Sequence, residues 1–120
     1  MPNTIPHNKV RGAFVLNYGG VSILLEPTHS NLASLEGALD RSLIALAASA
    51  MPGQRGITYQ DWATIIHTLM SKPKLSREAI TDMIIDNGVV SLTPIIEWLM
   101  QVVTQGVGSF PNPQAESEAM

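Results

Sequence analysis

The sequence predicts an α+β, mainly α domain, with an N-terminal two-stranded β-hairpin packed on about five short helices. Three observations predict it. The stretch "GAFVLNYGGVSILLEPTHS" reads as two apolar strands about a Gly-Gly turn. Beyond Pro27 the apolar residues recur every three or four positions instead of every two. Finally, each such run is introduced by a Ser or Thr and closed by Gly, Asn or Pro.

Residues 1–9 contain two Pro and two Asn without periodicity and read as a flexible N-terminal arm. A single domain is expected over 10–107, with a disordered tail over 108–120, "GSFPNPQAESEAM". In the hairpin, a two-residue Gly19-Gly20 turn sets Tyr18 opposite Val21, Leu16 opposite Ile23 and Phe14 opposite Leu25. These six side chains share one face, built for burial on the helices. Ala13, Val15, Asn17, Ser22, Leu24 and Glu26 form a mixed opposite face. A two-stranded sheet alone is marginal in water and leaves two unpaired edges. One edge is therefore expected to pair with another chain, a second copy or a client, by adding a strand. Val15, Asn17, Ser22 and Leu24 are the candidate partner-binding residues there.

The helices follow in order. Thr28 or Ser30 caps a helix carrying Leu32, Leu35 and Leu39, and Gly37 with Asp40-Arg41 marks a break. Ser42 or Asp40 caps "LIALAASA", whose Leu43, Leu46, Ala47 and Ala50 share a face; its small residues suggest a central position. "MPGQRG" is a loop. Thr58 caps "YQDWATIIHTLMSK", where Asp61 completes the shape of a capping box. Its Trp62, Ile65, Ile66, Leu69 and Met70 make a wide apolar stripe that Pro73 ends. Ser76 caps the next helix, with Ala79, Ile80, Met83 and Ile84 inward and Asn87-Gly88 as a left-handed stop. Thr93 caps the last one, with Pro94 at its favoured first position, Ile95, Ile96, Leu99, Met100 and Val103 inward, and Gly106 closing it.

Composition narrows the function. Charged residues make up 14% of the 120 positions, against about 25% in typical soluble domains. With 45% apolar residues and six Met, the thinly charged surface suits a protein that buries part of itself against a partner. The net charge of −3 argues against nucleic acid and anionic membranes as partners. No apolar run approaches the ~18–20 residues of a membrane span, and the N-terminus lacks the apolar core of a signal peptide. With no Cys in the chain, thiol chemistry is excluded. These features fit a soluble protein of the cytoplasm.

No constellation points to catalysis, a metal or a cofactor. His7, His29 and His67 share no ligand spacing. "DNGVVSLTPIIE" lacks the Gly and oxygen ligands of a calcium loop, and "NYGGV" lacks what a phosphate loop needs. "DWATIIHTLMSKPKLSREAITDMI" has the outline of a helix-turn-helix, but its second helix carries too many carboxylates for a phosphate backbone. Glu78, Asp82 and Asp86 form an acidic stripe at i, i+4, i+8. It reads as a solvated face first and as a patch for a basic partner second. Trp62 and Trp98 are candidate interface anchors, with core packing as the default because each lies near an apolar stripe.

The run "GAFVLNYGGVSILLEPTHSNLASLEGALDRSLIALA" resembles the small tail assembly chaperones of long-tailed bacteriophages, prophages and gene transfer agents. The resemblance is carried by the strand–turn–strand, then Thr28, then Leu32, Leu35, Glu36 and Leu39, then Ser42, Leu43, Ala45 and Leu46. "ITYQDWATIIHTLM" and "LSREAITDMIIDNGVVSLTPIIEWLMQVV" extend it to about Arg11–Val107, and the chain departs from the family at Tyr-Gly-Gly and in its Pro-containing tail. The resemblance implies a non-enzymatic assembly factor that binds the tape measure protein and helps tail tube protein polymerise around it. It further implies residence in the host cytoplasm and absence from the finished particle. A structural or adaptor subunit of a particle, at the head–tail joint or in the tail, is the alternative.

Overall fold

The structure is a computed structural model that describes residues 11–50, 56–72 and 74–110. The expected arm over 1–9 with His7, the loop residues 51–55 and the tail beyond Phe110 lie outside the described residues.

The chain begins with strands β1 (Phe14–Tyr18) and β2 (Val21–Leu25) and continues into helices α1 (His29–Leu39), α2 (Leu43–Ser49) and α3 (Tyr59–Leu69). A short strand β3 (Met70–Lys72) follows, then helices α4 (Arg77–Asn87) and α5 (Thr93–Gln105). The hairpin register is Phe14↔Leu25, Leu16↔Ile23 and Tyr18↔Val21, as its alternation and turn require. Gly19 and Gly20 both hold positive φ, 59° and 80°, the backbone a tight primed turn demands. Gly19 is doubly constrained. A Cβ there would lie 3.1 Å from Met83 Cε and 3.2 Å from Asn87 Nδ2, so the turn sits hard against the end of α4.

The hairpin is not alone. β3 pairs antiparallel with β2 through Leu24↔Lys72 and Leu25↔Met70, with a bulge at Leu24/Leu25, giving a sheet in the order β1-β2-β3. The helical stripe of α3 runs without interruption into Met70, so periodicity gives no warning of this strand. The helix ends at Met70, which already stands at φ −73°, ψ 143° and pairs with Leu25 of β2, a partner far away in the chain. The Glu26 N–H, donating to the Leu69 carbonyl at 2.9 Å, extends the seam.

One face of the sheet closes the core. Leu16, Tyr18, Ile23 and Leu25 are buried, and Phe14 and Val21 are partly so, among Leu35, Leu46, Ile65, Ile66, Ile80, Ile95 and Leu99. α1 and α4 pack on α3, and α2 packs on α5. Four caps form where the sequence places them: the side-chain oxygens of Thr28, Ser42, Thr58 and Ser76 accept from the N–H groups of Asn31, Ala45, Asp61 and Ala79.

Several local expectations change. Thr93 is no cap acceptor: a 3₁₀ turn, Val90–Leu92, leads directly into α5, and the Thr93 hydroxyl donates back to the Val90 carbonyl at 2.9 Å. Gly88 ends α4 at φ 81°, ψ −179°, an extended glycine conformation in place of a left-handed one. The residue that does turn left-handed is Asp40, at φ 54°, ψ 44° after α1. Asp61 does not complete a capping box, because its carboxylate pairs with Arg41 at 2.8 Å. α2 is a surface helix: Leu43, Leu46 and Ala47 are buried, but Ile44, Ala45, Ala48 and Ala50 face out. The ordered unit also runs past 107. A 3₁₀ turn, Val107–Ser109, and Phe110 fold back onto the start of the hairpin.

Candidate interaction surfaces

In an antiparallel pair, residues that exchange hydrogen bonds alternate with residues whose N–H and C=O point away from the partner. The Tyr18–Val21 pair that flanks the two-residue turn is a bonded pair, so Leu16–Ile23 and Phe14–Leu25 are bonded too. Val15 and Asn17 therefore aim their backbone groups outward along β1, and Ser22 and Leu24 aim theirs along β2 toward β3. The β2 side is occupied by β3 at Leu24 and Leu25, and the short strand does not reach Ser22. Among the described residues no backbone group bonds to Val15 or Asn17 on the outer side of β1. The open edge of the hairpin is β1.

This edge is firmly supported at both ends. At its start, the Trp98 indole N–H donates to the Gly12 carbonyl at 2.6 Å, and the rings of Trp98 and Phe14 lie tilted with centroids 5.5 Å apart. At its end, the Tyr18 hydroxyl donates to the Gly88 carbonyl, which ties the strand to the exit of α4. Burial raises the Tyr18 phenol above its ordinary pKa.

The six candidate residues separate. Asn17 and Ser22 are exposed and joined by a hydrogen bond in which the Ser22 hydroxyl donates to Asn17 Oδ1 at 2.6 Å. Val15 is half-buried. Leu24, 7% exposed, is buried on the side of the sheet away from the main core, and its backbone faces β3, so it offers neither a free side chain nor a free edge. Trp62 and Trp98, each 5% exposed, are core residues. The Trp98 indole packs against Phe14 of β1 and Trp62 lies in the same buried cluster, so both are taken up by the core.

A second surface comes from residues the sequence did not single out. Ile85, Val89 and Val90 are exposed by 68%, 36% and 86% at the end of α4 and the 3₁₀ turn after it. Helical geometry places Ile85 away from the buried Ile80 and Ile84 and among Glu78, Asp82 and Asp86, all three exposed. The single ion pair among the described residues is Arg41–Asp61, so these three carboxylates have no cationic partner there. An apolar residue out of phase with its own stripe was the available signal.

His29 is exposed, His67 is half-buried, and no group of three His, Asp or Glu among the described residues is placed to hold a metal. Among those residues no single helix is long and apolar enough to cross a membrane. No protein-family model, curated protein or solved structure matches the chain.

Proposed function

We propose that this chain is a non-enzymatic phage tail assembly chaperone that holds the tape measure protein in reversible complex while tail tube protein assembles around it. The observation that carries the reading is the open β1 edge, whose outward groups at Val15 and Asn17 can receive an added strand. Three further features support it. The edge is held at both ends by the Trp98–Gly12 and Tyr18–Gly88 bonds, so binding need not order it first. Only 14% of residues are charged, which limits the desolvation cost of covering the surface. The order of hairpin, caps and Leu-bearing helices is the one that resembles the family.

The test is co-expression with the tape measure protein of the same locus. The expected result is a soluble complex that co-elutes, and loss of tape measure solubility when the chain is omitted. Equal solubility with and without the chain, and no complex, would falsify the reading. Mass spectrometry of finished particles adds a second arm: a chaperone is missing from them, whereas a joining or tail subunit is present.

A further inference from the structure

We infer that the outer face of α4, with Ile85, Val89 and Val90 set among Glu78, Asp82 and Asp86, docks an amphipathic helix of another protein. That helix carries an apolar stripe bordered by Lys or Arg. The inference does not rest on the strand-addition reading.

The apolar centre is the starting point. Ile85 and Val90 are 68% and 86% exposed although the core has buried Ile80 and Ile84 from the same helix. Val89, 36% exposed, follows in the chain between them. Such clustering differs from the single exposed apolar residues that any surface carries. Covering it removes apolar area from water, so something apolar is favoured there.

Charge then selects the occupant. Asp82 and Asp86 lie beside Ile85 on the helix, Glu78 continues their stripe toward its start, and none of the three has a cationic partner among the described residues. Their shared field repels nucleic acid and anionic lipid. It also repels a second copy meeting face to face, since a two-fold contact would bring two sets of the same carboxylates together. A cationic border is the complement that remains, and it would relieve the like-charge spacing within α4. Shape selects the secondary structure. α4 and the 3₁₀ turn present side chains and no open backbone ladder, so the partner meets them through side chains at helical spacing, helix against helix.

The experiment uses the full chain and two synthetic helical peptides with one Leu stripe, flanked by Lys in the first and by Glu in the second. Titration calorimetry should show the Lys peptide binding at least about tenfold more tightly than the Glu peptide. Raising salt should weaken it. Ile85→Ser and the pair Asp82→Asn with Asp86→Asn should each weaken binding roughly tenfold. Circular dichroism should stay unchanged, because all three side chains are exposed. Val15→Pro on the sheet edge and Glu97→Gln on α5 should leave the affinity unchanged. The inference is overturned if neither peptide binds, if the two bind equally, or if binding survives both sets of α4 variants. A loss of affinity with Val15→Pro would also overturn it, by moving the site to the sheet edge.

Discussion

Trp98 has one donor, and the fold directs it to the Gly12 carbonyl, 86 residues away in the chain, in a buried setting. Trp98→Phe keeps most of the apolar volume but leaves that carbonyl without its partner, which should cost about 1–3 kcal/mol. Urea denaturation would read this as a lower midpoint with an unchanged slope. Tyr18 adds a pH dependence. In the unfolded chain its phenol ionises near pH ~10, while in the fold burial raises that pKa. The unfolded state therefore loses its proton first. Stability from this residue is complete below about pH 10 and declines as pH rises toward the raised value. Tyr18→Phe should remove that alkaline decline and cost about 1 kcal/mol near neutrality, through loss of the hydroxyl bond to Gly88. Denaturation curves of both proteins on either side of pH ~10 check the sign: the gap between them should narrow at the higher pH.

At the scale of elements, the β1 edge and the β2–β3 seam respond differently to proline. Val15→Pro places the missing N–H on the open side, where an edge strand tolerates it. It should change stability by less than about 1 kcal/mol while weakening any strand-added complex. Leu24→Pro removes a group facing β3 and should cost about 3 kcal/mol or more in folding itself. Thermal unfolding beside a pull-down of the tape measure protein separates the two effects. Equal losses of folding and association in Val15→Pro would sink the edge proposal. Gly88→Ala belongs here too. At φ 81°, ψ −179° the backbone is open only to glycine, so the exchange should cost about 1–3 kcal/mol although its Cβ meets open space.

What was legible in the sequence was local. Thr28, Ser42, Thr58 and Ser76 cap helices through contacts three residues away, and the hairpin register follows from the alternation and its turn. β3 was not legible, because Met70 fits the stripe of α3 and becomes a strand only through Leu25, far away in the chain. Thr93 misled for a similar reason, since the 3₁₀ turn before it already supplies the start of α5. Of the candidate surface, strand alternation gave a hairpin with two edges, but not that β3 covers part of the β2 edge and leaves that of β1 open. Trp62 and Trp98 did not resolve, because an indole near an apolar stripe has one composition whether it packs inside or waits outside. Ile85 is out of phase with Ile80 and Ile84 in the sequence, but its exposure becomes visible only once α3 is seen packed on the opposite face of α4.

At the scale of the whole molecule, the two ends of the described chain hold each other. The Arg11 guanidinium donates to the Phe110 carbonyl at 3.0 Å and to the Gly108 carbonyl at 3.2 Å. Phe110 packs against the core, and a Cβ on Gly12 would lie 3.4 Å from both Phe110 and Val107. This contact joins the turn that follows α5 to the start of β1, so the C-terminal turn and the open edge are mechanically linked. Phe110→Ala should cost about 2 kcal/mol, below the full-burial range because the ring is only half covered. Arg11→Ala should cost about 1 kcal/mol, since its bonds are exposed but its guanidinium is charged. Because both act on one contact, the double variant should lose less than the sum. Hydrogen exchange then gives the spatial readout. In either variant the amides of β1 should lose protection before those of α3 and α4, as local opening spreads from the loosened end. Uniform loss across all elements would mean that the contact stabilises the fold globally and does not guard the edge.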